Sequence, residues 1–199
     1  KAMKVDEVFE SIKADQLFYQ ASGGGITVSG GEPLLQPKFV SELLRKCKEA
    51  GIHTCVETSG YAPESALRQV LPFTDYMLFD LKLLNSDLHR CYTGKPNELI
   101  LNNAKIVTSS GLEVLFRMPL IPGINDDPQN IKETADFLHS LGGKTIGIQL
   151  MPYHELGKGK YESLDKLYRL AGLSTLEPEQ VETVQEMFKA RGISCTISR

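Results

Sequence analysis

Five short apolar runs recur along the chain, each followed by a segment with helical spacing: ITVS, IHTCVETSG, YMLFD, LEVLFRMPL and TIGIQLMP. Each is too short for a buried helix and is bounded by glycine, proline or charged residues, so each reads as a strand. Val5, Val8, Phe9 and Ile12 fall at helical intervals before the first run. So do Phe39, Val40, Leu43, Leu44 and Cys47 after it, ending at Gly51, and Leu101, Ala104 and Val107 later, ending at Gly111. Further helices are expected near residues 64–71, from Asp127 and Pro128 onward, and over about 178–191. Ser86 is read as the cap of a helical turn and ISCTIS as a closing strand. This alternation dictates an α/β fold with a parallel sheet, either open or curled into a (β/α) barrel. Because the strands read as continuous apolar runs, the sheet is expected to be covered on its faces.

Bulk properties narrow the function classes. The 199 residues, 41% hydrophobic and 24% charged, suit one soluble globular domain with a sizeable core. A net charge of −3 leaves no basic footprint for nucleic acid. No apolar run reaches the length of a membrane span. Cys47, Cys55, Cys91 and Cys195 are far apart and match neither a metal-ligand nor a disulfide spacing, which fits a reducing cytoplasm. The polar segment 155–175 is long enough to be mobile or to cover a site.

The informative residues gather where the strands end. The first strand runs into Gly30, Gly31, Glu32 and Pro33, and the second into Glu57, Thr58, Ser59 and Gly60. The third runs into Asp80, Leu81 and Lys82, the fourth carries Arg117, and the fifth ends Pro152, Tyr153, His154. Carboxyl ends of parallel strands are where α/β folds build their sites. Taken singly, each residue has a plainer use. Gly30 and Gly31 make a strand-to-helix turn, and no P-loop lysine follows them. Glu57 and Asp80 can cap helices, Lys82 can pair with Asp80, and His154 can be a structural histidine. Arg117 needs a partner if buried. Together they supply carboxylates, cations, an imidazole and bare backbone around one mouth, as a zwitterionic, polyhydroxylated ligand requires.

In this order, SGGEPLLQPKF, GIHTCVETSG, DLK, FRMPLIPGIND and MPYHELGKGKY resemble the glycyl-radical-enzyme activating enzymes of the radical S-adenosylmethionine superfamily. The likeness is greatest to those acting on pyruvate formate-lyase, and it runs from about Val5 to the C-terminus. It implies a partial (β/α)6 barrel, open at one side. It implies that Gly30, Gly31 and Glu32 bind the methionyl amino end of S-adenosylmethionine through backbone and carboxylate. Asp80 and Lys82 would contact its methionyl and ribose region, and His154 would lie by the adenosine. Arg117 would pair with a carboxylate of ligand or protein. Glu57, Thr58 and Asp80 would stand where some members hold a monovalent cation, with Glu57 in place of the familiar aspartate.

The implied reaction is reductive cleavage of S-adenosylmethionine at a 4Fe-4S cluster, with flavodoxin or ferredoxin as electron donor. The resulting 5′-deoxyadenosyl radical takes a hydrogen atom from a backbone glycine of a glycyl radical enzyme, so no residue here needs to be an acid-base catalyst. The family's cluster is held by a Cys-x3-Cys-x2-Cys run on the first strand, tens of residues before the GGE motif. Only 29 residues precede Gly30, and none is cysteine. The resemblance therefore implies that the run lies upstream of Lys1. Residues 1–199 would then be a radical S-adenosylmethionine core missing its first strand, an open parallel sheet with flanking helices. By itself such a chain is expected to hold no cluster and to be inactive. Other readings are an activating enzyme for a diol dehydratase or a decarboxylase, a Schiff-base aldolase-like barrel using Lys82, or a non-catalytic ligand-binding module.

Overall fold

The computed structural model describes residues 2–142, 145–154 and 172–198. The five apolar runs form β1 (Gly25–Val28), β2 (His53–Thr58), β3 (Tyr76–Asp80), β4 (Glu113–Leu120) and β5 (Thr145–Pro152), and the closing segment forms β6 (Cys195–Ile197). All neighbours pair in parallel, and spatial order follows chain order from β1 to β6. The described sheet therefore stays open, with β1 and β6 at its edges. Parallel neighbours cannot be joined by a tight hairpin. The connections carry α3 (Pro37–Glu49), α4 (Glu64–Val70), α5 (Ser86–Thr93), α6 (Glu98–Ser109), α7 (Pro128–Ser140) and α8 (Pro178–Lys189). Ahead of β1, two helices, α1 (Val5–Lys13) and α2 (Gln16–Ser22), stand where the spacing predicts one.

Burial alternates along the strands. Val56, Met77, Phe79, Val114, Phe116, Met118, Leu120, Ile148 and Leu150 are fully enclosed. They meet Val40 and Leu44 of α3, Leu67 and Val70 of α4, Ala104 and Val107 of α6, Ile131 and Ala135 of α7, and Val184 and Phe188 of α8 in one cluster. The residues between them, Glu57, Leu78, Asp80, Leu115, Arg117 and Gln149, are half-buried. Among the described residues the helices cover one face, which corrects the expectation of a sheet covered on both. The strands read as continuous because the uncovered face carries Cys55, Leu78 and Leu115 below its charges. That is the pattern of a barrel interior.

Local chemistry explains most boundaries. Asp127 caps α7, its Oδ1 accepting from the N–H groups of Gln129 and Asn130 at 3.0 and 3.1 Å. The cap of α5 is Asn85 rather than Ser86: Asn85 is extended and its Oδ1 accepts from Leu88 N–H at 3.0 Å. Ser86 is already helical and donates to Glu98 at 2.6 Å. Gly25 is required by close approach, since a Cβ there would collide with the His53 backbone across the β1–β2 pair. Most of the expected loop at 155–175 lies outside the described residues. No helix among the described residues is long and apolar enough to cross a membrane.

Candidate functional site at the carboxyl edge of the sheet

Beyond Val28 the chain turns through Ser29, Gly30 and Gly31. Gly30 has φ +119°, a region that side-chain-bearing residues avoid, and a Cβ on either glycine would meet nothing within 4 Å. Two peptide units thus lie bare at the sheet edge. Glu32 holds them there. Its Oε1 accepts from Leu34 N–H at 3.1 Å and from Thr58 Oγ1 at 2.6 Å, and its Oε2 from Ser59 N–H at 3.0 Å and Ser59 Oγ at 2.6 Å. Four donors fill the acceptor capacity of a carboxylate, so the groups this loop leaves open to a ligand are backbone groups. Ser59 escapes sequence reasoning as a partner of Glu32. Its only signal there is the polar run after β2.

The charged residues form a second, connected set on the uncovered face. Registry places Asp80 beside Arg117 and Arg117 beside Gln149. Arg117 Nη2 donates to Glu57 Oε1 at 2.7 Å, its Nε lies 3.5 Å from Asp80 Oδ1, and Lys82 Nζ donates to Asp80 Oδ2 at 3.1 Å. Two carboxylates and two cations balance. The set is incomplete in one place, because Asp80 Oδ1 and Arg117 Nε are both buried without a hydrogen-bond partner. The two face each other as an ion pair 3.5 Å apart, too long for a good hydrogen bond.

Glu57, Thr58 and Asp80 do not gather their side chains around a common point. Successive strand residues face opposite ways, so Thr58 is buried toward Glu32 while Glu57 turns to Arg117. Thr58 Oγ1 also accepts from Gly60 N–H at 2.9 Å. His154 is exposed, two residues past β5 at the same edge, and joins neither set. Among the described residues no three of His, Cys, Asp and Glu are grouped to hold a metal ion. Cys47, Cys55 and Cys195 sit apart on α3, β2 and β6, and Cys91 is exposed on α5. Burial pushes the Cys47 thiol up, and the Cys195 thiol up to about 12. Burial also raises Cys55, where a hydrogen bond with Thr27 works against it and the Glu57 carboxylate with it. The separation of these three in the fold, on three different elements, keeps them from sharing one cluster.

Residues 1–153 match the sequence profile of the Radical SAM superfamily. The (2S)-3-sulfopropanediol dehydratase activating enzyme of Klebsiella oxytoca is 40% identical over 201 residues, covering 99% of this chain and 63% of that protein. The chain therefore spans less than two thirds of that relative's length. Pyruvate formate-lyase 1-activating enzyme of Escherichia coli (strain K12) is 34% identical over 194 residues, covering 96% of this chain and 78% of that protein. The crystal structure of a domain of pyruvate-formate lyase-activating enzyme from Bacteroides vulgatus ATCC 8482 superposes with a TM-score of 0.74 at 34% identity. It covers 88% of this chain and 99% of its own. By this profile, these relatives and this shared fold, the chain belongs to the Radical SAM superfamily and, within it, to the glycyl-radical-enzyme activating enzymes.

Proposed function

We propose that the protein is an activating enzyme whose carboxyl-edge residues seat S-adenosylmethionine for radical formation on a glycyl radical enzyme. The observation that carries this reading is the charge-balanced set of Glu57, Asp80, Lys82 and Arg117 at the same carboxyl edge of the sheet as the bare Gly30 and Gly31 backbone. A zwitterion needs both signs and both hydrogen-bonding roles, and this set offers them. Gly30 and Gly31 would meet the ligand's ammonium through their carbonyls. Glu32 and Thr58 would hold that loop in place. Asp80, Lys82, Arg117 and Glu57 would hold the remaining polar groups, and His154 would border the adenosine. The apolar row of Cys55, Leu78 and Leu115 below the charges would exclude water from that side. When held there, S-adenosylmethionine would supply the radical chemistry, and these residues would bind and orient it toward the partner's glycine. The four cysteines do not fit a 4Fe-4S cluster, so the roles of this chain's residues concern the seating of S-adenosylmethionine.

In this reading residues 1–199 work as one radical S-adenosylmethionine core domain in a reducing cytoplasm, with flavodoxin or ferredoxin supplying the electron. The glycyl radical enzyme would be pyruvate formate-lyase or a dehydratase or decarboxylase of the same kind. The Schiff-base alternative is disfavoured by the ion pair of Lys82 with Asp80, which uses the ammonium rather than a free amine. The test uses the native gene product, reconstituted anaerobically with iron and sulfide. It is expected to cleave S-adenosylmethionine to 5′-deoxyadenosine. Asp80→Ala should keep its iron yet lose cleavage by at least about a hundredfold, because the ligand is misplaced rather than the metal lost. Cleavage unimpaired in Asp80→Ala, or none in the reconstituted parent, would defeat the proposal. A pure binding module would bind the ligand without ever yielding product.

A further inference from the structure

The segment that carries Lys82 has little regular structure to hold it. The β3 ladder stops after Leu81, whose N–H donates to the Arg117 carbonyl at 2.8 Å, and residues 81–85 belong to no helix or strand. Buried asparagines hold the segment instead. Asn125, 1% exposed, donates from Nδ2 to the carbonyl of Lys82 at 2.9 Å and to that of Pro119 at 2.7 Å. Its Oδ1 accepts from Ile121 N–H at 2.7 Å, so one amide uses both donors and its acceptor. Asn130 in turn donates to the Asn125 carbonyl at 2.9 Å, and its Oδ1 accepts from Leu84 N–H at 3.2 Å. Asn97 donates to the carbonyls of Leu83 at 2.9 Å and Leu84 at 2.7 Å. Asn97 stands at the cap position of α6 but makes no capping bond, leaving its side chain for the loop.

We propose that Asn125, backed by Asn97 and Asn130, is a positioning residue that sets Lys82 against Asp80. This rests on the reading of Lys82 and Asp80 as ligand contacts. Asn125 ties the backbone of Lys82 to Pro119, and so joins the ends of the two strands whose charges meet at the site. Only a short side chain with two donors and an acceptor can do this. Aspartate keeps an acceptor for Ile121 but turns a carboxylate toward two carbonyls, and leucine supplies neither role. Lost donors would leave buried carbonyls unpaired, and the segment would relax toward other acceptors.

The native, iron-loaded gene product is used, with two readouts: affinity for S-adenosylhomocysteine by calorimetry, and kcat/KM for 5′-deoxyadenosine formation. Asn125→Ala, or the size-matched Asn125→Asp if the alanine variant does not fold, should weaken both by about tenfold or more at unchanged iron content. Lys82→Ala should also weaken both. If Asn125 acts through Lys82, adding Asn125→Ala to Lys82→Ala should change either readout by less than about threefold, far short of the product of the single effects. Fully multiplicative losses in the double variant would overturn the positioning role, as would a folded Asn125→Asp that matches the parent. A Lys82→Ala variant that matches the parent would instead overturn the ligand reading, and the positioning role with it.

Discussion

An arginine in the middle of an apolar strand has to find acceptors, and Arg117 finds carboxylates on two other strands, Glu57 on β2 and Asp80 on β3. Its side chain is 14% exposed, against 30% for Glu57 and 17% for Asp80, so the pairs lie between surface and core. Arg117→Ala would leave Glu57 without a cation and Asp80 with Lys82 alone. It is expected to cost about 2 kcal/mol, between the worth of an exposed pair and the penalty for breaking a buried one. Glu57→Gln leaves Arg117 beside Asp80 and should cost less than about 1 kcal/mol. Urea unfolding at pH 7 measures both, and equal costs would contradict this ranking. Glu57, Asp80, Lys82 and Arg117 are legible in the sequence because each charge is out of place beside an apolar run. The use of Glu32 is not legible there. Its partners Thr58 and Ser59 are 26 and 27 residues away, and the β1–β2 register and the turns beyond it bring their hydroxyls to its carboxylate.

At the scale of elements, a single carboxylate joins α3, β2 and the start of β3. Asp75 accepts from Lys48 Nζ at 2.6 Å and from the N–H and hydroxyl of Thr54, each at 3.0 Å. Burial alone would raise its carboxyl, but the hydrogen bonds from Lys48 and Thr54 outweigh burial and hold it below the ordinary 3.8. A carboxyl lowered by folding adds stability that is present above its unfolded pKa and lost as pH falls through its folded one. Asp75→Asn should therefore be less stable than the parent by about 1 kcal/mol at pH 7. The gap should narrow once the pH drops below 3.8. Urea titrations from pH 7 down to about pH 2 follow the two proteins, and a gap constant across that range would refute the linkage. The strands and the main helices are readable from periodicity and caps. The break between α1 and α2 is not, because residues 13–16 contain neither glycine nor proline. The uncovered face of the sheet is equally hidden, since Leu78 and Leu115 lie on it and look like core in a one-dimensional pattern.

For the whole molecule, packing is uneven in a way that predicts how it opens. The main cluster runs without interruption from α3 through the sheet to α8. The smaller cluster, Leu43, Cys47 and Ile52, is covered by half-buried Val5, Val8, Phe9, Ile12 and Tyr19. Neither α1 nor α2 has a fully buried residue of its own, and Leu17 and Phe18 on α2 are 78% and 74% exposed. Their polar ties to α3 and the turn after it are few, the Lys46–Asp6 ion pair at 3.0 Å and the bond from Gln16 Nε2 to the Ala50 carbonyl at 2.8 Å. An exposed ion pair adds little, so this pair of helices depends on one shallow apolar contact. Regions with few buried apolar contacts open locally, well below the free energy of global unfolding. Amide hydrogen exchange at pH 7 should therefore be fast across residues 5–22, intermediate in α3, and slowest in β3 and β4. Val8→Ala should speed exchange in 5–22 while leaving β3 and β4 unchanged, because the contact it weakens lies outside the main cluster. Exchange in α1 and α2 as slow as in β4, or slowed protection lost in β4 on Val8→Ala, would show that both clusters unfold as one cooperative unit.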